Sequence, residues 1–411
     1  MKPSGIEWIG DIPDDWEVRK ITTLLDNIGS GTTPPNNTDF YENGIIPWLN
    51  TGDLTDNYVD LIENKITEYA LNQYSALKIF PKDSVVIAMY GATIGKLGIL
   101  RESASTNQAC CVMQCNDNLY FKFLFYSLYG YREYILTLSY GSGQPNISQK
   151  IIKDLRLPTP PLKTQQRIAD YLDEKCGEID ATIAKQKESI EKLKAYKQSL
   201  ISETVTKGLD KSAPLKPSGI DYLGDIPSHW EIKKLKFLVS LIDNKTKDGH
   251  SISLENIESG TGKLIETENT YDGEGISFKE NDLLFGKLRP YLAKVYLSAL
   301  KGRALGDFYV MRANKGTNPN FLKFVLLSDW FIKIVDSSTY GTKMPRASWD
   351  FTGGMRIPLP PISEQDCISS YLEIKCSEVD TFIIEKQNII QKLDAYKKSL
   401  IFECVTGKRL V

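Results

Sequence analysis

The chain has 411 residues, enough for two to four domains that each bury a core. Its 41% hydrophobic and 25% charged residues are ordinary for a soluble protein, and no run of 18 apolar residues offers a membrane span. The net charge of −2 gives no nucleic-acid signal by itself, although a whole-chain sum conceals local fields. The start, Met1-Lys2-Pro3-Ser4-Gly5, lacks the apolar stretch of a secretory signal. None of the seven cysteines forms a CxxC pair, and the only histidines are His229 and His250. A zinc site is therefore not expected, and a reducing cytoplasm is the expected compartment.

The first element in chain order is a block, KPSGIEWIGDIPDDWE at residues 2–17, that returns as KPSGIDYLGDIPSHWE at 216–231. A second pair of matching segments starts at LPTPP (157–161) and IPLPP (357–361) and runs to Thr206 and Thr406, with 24 identities over 50 positions. Between these blocks lie two dissimilar regions, 22–156 and 236–356. The layout reads as 1–156 (block and first variable domain), 157–210 (first helix), 211–356 (block and second variable domain) and 357–411 (second helix). A frame that repeats while its inserts diverge suits one scaffold presenting two different readers. A drifted, pseudo-symmetric fold would produce the same layout. The second helix ends where the first continues into a block, so the repeat closes on itself if residue 411 lies near residue 1.

Both variable regions mix strand and helix signals, which makes the class α+β. Val85–Tyr90 and Ala109–Gln114 read as buried strands, Phe121–Tyr140 as a helix and Phe321–Ser337 as its counterpart. A weaker alignment sets Val85–Leu100 against Asp282–Leu297 and Asn107–Cys115 against Gly306–Ala313, which implies one fold with two surfaces. Charge is uneven within each region. Residues 22–83 carry three Lys/Arg against nine Asp/Glu, and 84–156 carry seven against four. Residues 236–286 carry five against ten, and 287–356 carry twelve against four. A basic second half is the electrostatic footprint of phosphate binding, or a chance asymmetry of solvated surface. The loops 140–149 and 340–349 join an aromatic, glycines and polar or basic residues to a proline. Gln144 and Asn146 suit adenine, and Lys343 and Arg346 suit guanine; the alternative is that both loops are plain turns. With Lys96, Asn107, Gln108, Lys287 and Arg289, these four are the candidate DNA contacts.

Residues 163–206 lack proline, and apolar positions recur at alternating spacings of four and three. The expected seam is Leu172, Ile179, Ile183, Ile190, Leu193 and Leu200, repeated as Leu372, Val379, Ile383, Ile390, Leu393 and Leu400. About 44 residues at 1.5 Å each make a rod of roughly 65 Å. Two such helices pairing antiparallel form a spacer between domains; a plain dimerisation hairpin is the alternative. No P-loop, methyltransferase tetrapeptide or Ser-His-Asp grouping stands out; GATIGKL at 91–97 is one residue short of a P-loop and ends in Leu97.

These segments together resemble the specificity subunits of type I restriction–modification systems. The resemblance is carried by PSGIEWIGDIP…WE (3–17), IPWL…GD (46–53), GATIGK (91–96), TNQ (106–108) and PTPPL…QQRIADYL (158–172), and by the repeated frame PLPPI…EQ…YL (358–372). It covers the chain nearly end to end, with a mild departure at 363–367. It implies a non-catalytic chain with two target-recognition domains on two antiparallel coiled-coil helices, in a cyclic pseudo-two-fold repeat. Each domain would read half of a bipartite asymmetric site on double-stranded DNA. Two modification subunits would carry S-adenosylmethionine and methylate adenine N6, and two restriction subunits would add ATP- and Mg-dependent translocation and cleavage. No cofactor is expected in this chain. The rival reading is a coiled-coil protein adaptor without DNA recognition.

Overall fold

The computed structural model describes residues 1–140, 145–265, 273–341 and 343–411. They form two compact units, one of Met1–Gln186 with Asn388–Val411, the other of Lys187–Gln387. Two long helices, Leu162–Lys207 and Ile362–Val405, each contribute residues to both units. Among the described residues no helix is long and apolar enough to cross a membrane.

In the first unit the variable region enters and leaves through one antiparallel ladder, Glu17–Lys20 against Arg156–Thr159. Beyond it stands a five-stranded sheet in the order Leu25–Gly29, Cys110–Cys115, Val85–Ala88, Leu97–Leu100, Asn57–Val59. All four residues of Val85–Ala88 are buried because the sheet is covered on both faces. Val85, Ile87, Ile99, Cys111 and Met113 face a core shared with the helices Phe121–Gly130 and Arg132–Thr137 and with both long-helix segments. Val86, Ala88, Leu100, Cys110 and Val112 face a second core on the other side. Burial pushes the Cys111 thiol up to about 12, so it stays protonated and serves as packing.

The second unit repeats this plan. Its ladder pairs Glu231–Lys234 with Arg356–Leu359. Its main sheet runs Val239–Ile242, Phe308–Ala313, Asp282–Gly286, Val295–Leu297, with Leu283, Phe285 and Met311 on one core and Leu284, Phe308 and Val310 on the other.

The repeated block does the same work twice. Trp8 stacks on Tyr134 at 4.2 Å, and Tyr222 stacks on Trp330 at 5.5 Å. Each long helix ends in a left-handed glycine lying against a block tryptophan. Gly208 (φ 73°) meets Trp230, and Gly407 (φ 71°) meets Pro13 and Trp16. The C-terminal helix therefore returns to the first block as the first helix meets the second block, closing the repeat in the cyclic sense that the sequence implies.

Within each unit the paired helix segments run antiparallel. In the first, Lys397 bonds Asp180 at 2.7 Å while Cys404 approaches Cys176. In the second, Lys197 bonds Asp380 at 2.7 Å while Gly208 approaches Glu364. The two ion pairs are the same pair at an offset of 200, with the helices exchanged. Every expected seam residue is buried or half-buried, as are Gln186 and Lys197, two polar residues that fall at seam spacing in the first helix.

Three sequence expectations need correction. The helix expected over 121–140 is two helices interrupted at Tyr131 (ψ 0°), and it ends at Thr137. The helix expected over 321–337 is Pro319–Leu327 and Asp329–Ser337, interrupted at Ser328 (ψ 144°). Continuous apolar patterning hides a one-residue break that re-aims the next helix towards the block aromatic. The alignment of 85–100 with 282–297 is one residue out. Val85 pairs with Ile99 and Leu283 with Leu297, so Leu283 is the equivalent of Val85. Asp282 is an added strand residue, fully buried and held by Arg312 at 2.7 and 2.8 Å and by the Lys279 N–H.

Candidate nucleic-acid interface

In each unit one loop leaves the central strand of the main sheet, and a second loop is laced to it. In the first unit the Ile147 N–H donates to the Met89 carbonyl at 2.7 Å, and Asn146 bridges both Tyr90 and Tyr140. In the second, the Ala347 N–H donates to the Lys287 carbonyl at 2.9 Å, and Arg346 bridges both Leu288 and Tyr340. The same backbone platform thus carries different side chains in the two units.

On the first platform Lys96 is exposed, in the turn between Val85–Ala88 and Leu97–Leu100, and makes no ion pair among the described residues. Asn146 is exposed. Gln108 is exposed but engaged: its Oε1 accepts from the Thr33 hydroxyl at 2.7 Å. Burial raises the Tyr90 hydroxyl above its usual range, a shift that a hydrogen bond with Gln108 partly offsets. Asn107 is half-buried and occupied within the fold. Its amide donates to Asn50 at 3.0 Å, and its carbonyl accepts the Ala109 N–H at 3.0 Å. Gln144 lies outside the described residues.

On the second platform Lys287, Arg289 and Arg346 come together. Arg346 donates through Nε and Nη2 to one oxygen of Asp307, at 3.2 and 3.0 Å. Lys287 approaches the other oxygen at 3.9 Å and lies over the Tyr309 ring. Arg289 is exposed and in the left-handed region at φ 50°, a conformation that costs an L-residue about 1 kcal/mol or more. Its N–H is held by the Pro345 carbonyl at 2.8 Å. Lys343 is exposed, and neither it nor Arg289 makes an ion pair among the described residues. Tyr340, 77% exposed, and Tyr291, 53% exposed, lie in the same two loops as these cations. Exposed cations beside exposed aromatics on a fixed backbone can bind phosphates and stack or hydrogen-bond on base edges.

Two side chains of this candidate platform escaped the sequence reading. Asp307 orients Arg346, and its signal was available: one of four acids in a stretch with twelve bases is expected to be ion-paired. Tyr309 forms the floor beneath Lys287 and donates to the Ala347 carbonyl at 2.7 Å. Burial, with Asp350 and Asp307 nearby, pushes its hydroxyl up to about 12, so it remains a donor. Among the described residues no group of three or more His, Cys, Asp or Glu is placed to hold a metal ion.

Residues 13–194 match the family model described as the type I restriction modification DNA specificity domain. The type I restriction enzyme MjaVIII specificity subunit of Methanocaldococcus jannaschii is 25% identical over 97% of this chain and 93% of its own length. Among solved structures, a chain from work on complex assembly and conformational transition of the type I R-M system superposes with a TM-score of 0.75 at 14% identity. It covers 97% of this chain and 100% of that one. The HsdS subunit from Thermoanaerobacter tengcongensis gives 0.54 at 14% identity, over 97% and 98% of the two chains. The family match falls on the first block, the first insert and the first long helix, and the frame repeats in the second half. Over nearly its whole length the chain is similar to the specificity subunits of type I restriction enzymes, and residues 13–194 match that family's DNA specificity domain.

Proposed function

We propose that this chain is the non-catalytic addressing subunit of a type I restriction–modification complex. It reads a bipartite, asymmetric site on double-stranded DNA, one half with each loop platform. The observation that carries this reading is the duplicated platform with unlike side chains: Asn146 stands where the second unit has Arg346, on the same backbone bridges. A repeated protein that needed one surface twice would have little use for that difference. Lys96, Gln108 and Asn146 are the candidate contacts of the first half, and Lys287, Arg289, Lys343 and Arg346 those of the second.

Methylation of adenine N6 and cleavage belong to partners, two modification and two restriction subunits, which bring S-adenosylmethionine, ATP and Mg. The assembly works in the cytoplasm. The seam helices set the unread gap between the half-sites. The test is to co-express the chain with its modification subunit and map N6-methyladenine across a genome by long-read sequencing. One bipartite motif with a fixed gap, lost on deleting this chain, is the expected result. A well-folded complex that produces no motif and shows no salt-sensitive DNA binding would instead support the protein-adaptor reading.

A further inference from the structure

We infer that Arg346, steered by Asp307, reads a guanine in the half-site addressed by the second unit. This rests on the DNA-reading function proposed above and assigns one base and one residue within it.

The geometry is that of a prepared guanidinium. Arg346 spends its Nε hydrogen and one Nη2 hydrogen on a single Asp307 oxygen. The far edge, with both Nη1 hydrogens and the second Nη2 hydrogen, is left for a ligand. Guanine offers O6 and N7 side by side in the major groove, and a guanidinium edge is the side chain that fits both at once.

The backbone that carries the side chain is fixed on every side. The Arg346 N–H donates to the Tyr340 carbonyl at 3.2 Å and its carbonyl accepts from the Tyr340 N–H at 3.4 Å. Its neighbours are tied down too: Pro345 accepts the Arg289 N–H at 2.8 Å, and Ala347 donates to Lys287 at 2.9 Å. A long side chain held before binding loses less freedom on binding. Asp307 does not turn DNA away, because its charge is shared by two cations, Lys287 and Arg346. A phosphate can also take a guanidinium edge, but that contact carries no base preference, so a change of base preference separates the two roles. The equivalent first-unit residue is Asn146, whose exposed amide matches adenine rather than guanine.

The experiment uses the full chain co-expressed with its modification subunit and reads the methylated motif for the wild type, Arg346→Ala, Arg346→Lys and Asp307→Asn. The wild-type motif is expected to hold a guanine in one half-site. Arg346→Ala should make that position degenerate, with discrimination falling about ten- to a hundredfold, while the other half-site stays intact. The intact half-site also reports that the variant folds and assembles. Asp307→Asn should relax the same position less, and Arg346→Lys should keep a weakened guanine preference. A wild-type motif without guanine overturns the assignment. So does a motif unchanged in Arg346→Ala, or a loss spread over both half-sites without a change of base preference. A wild-type complex with neither motif nor salt-sensitive DNA binding overturns the DNA-reading function itself, and this assignment with it.

Discussion

Asp380→Ala tests whether charge inside the helix seam holds the second unit together. The Asp380 carboxylate accepts from Lys197 at 2.7 Å and from Lys263 at 2.8 Å. Its side chain is 16% exposed, that of Lys197 only 10%. Burial works against the charge on Asp380, yet the two ammonium groups outweigh it and hold the carboxyl below its usual range. Removing the carboxylate leaves Lys197 unpaired in an apolar seam, whereas Lys263 is mostly exposed and simply returns to water. Breaking a buried pair costs about 3–5 kcal/mol; with solvent this near, about 3 kcal/mol is expected. In a unit the size of residues 187–387 that corresponds to a Tm lower by roughly 6–12 °C. Adding Lys197→Met fills the seam without charge and should recover at least half of the loss. Calorimetry of the full chain reads both. A single variant within about 2 °C of wild type, or a double variant less stable than the single, would refute the reasoning.

The remaining predictions concern glycines and pH. Gly407→Ala places a Cβ 2.3 Å from Pro13 Cδ on a left-handed backbone, and should destabilise the first unit by about 2–3 kcal/mol in urea unfolding. Gly177→Ala, in mid-helix with open space around the new methyl, should stabilise by about 0.5–1 kcal/mol in the same assay. Asp380 is depressed, so its contribution is complete above the unfolded carboxylate range, near about 3.9, and fades as pH falls through the folded value. The melting difference between wild type and Asp380→Asn should therefore close in acid and persist at neutral pH. Lys397 has the opposite sign. Burial opposes its charge, but the hydrogen bond and attraction of Asp180 win and raise it. Its stabilisation is complete below about 10.4 and lost as pH rises through the raised value, so Lys397→Met should flatten the alkaline limb of the melting curve.

The seam was legible because a helix reports its buried face locally, through spacing alone. Leu172, Ile183 and Leu400 needed no knowledge of what they face. The buried strand around Val85–Ala88 was legible for the same reason, since four consecutive apolar residues require cover on both sides. The helix breaks at Tyr131 and Ser328 were not legible, because each is one residue's dihedral angle, chosen by contacts with a distant block. The candidate site was legible as composition, a basic stretch ending in a glycine-containing loop. Its arrangement was not, because Arg346 meets Asp307 and Leu288 only once strands far apart in sequence pair. Asn107 shows the limit from the other side. Its residue type suits base reading, but the fold uses both ends of its amide internally.

One buried glutamine in each half bears on how such a protein can change. Gln165 Nε2 donates to the carbonyls of Asn118 and Pro160 at 3.0 and 2.9 Å, and its Oε1 accepts the Tyr120 N–H at 2.8 Å. Gln365 repeats this with Gly316, Pro360 and Asn318 at 3.2, 2.8 and 2.8 Å. Every one of these partners is a main-chain atom. The frame therefore grips its insert by the course of the backbone and is indifferent to the side chains along it. An insert can replace its reading surface wholesale and still be seated, provided its chain passes the glutamine along the same path. The fastening is generic where the message is particular, and a new address requires no new joint.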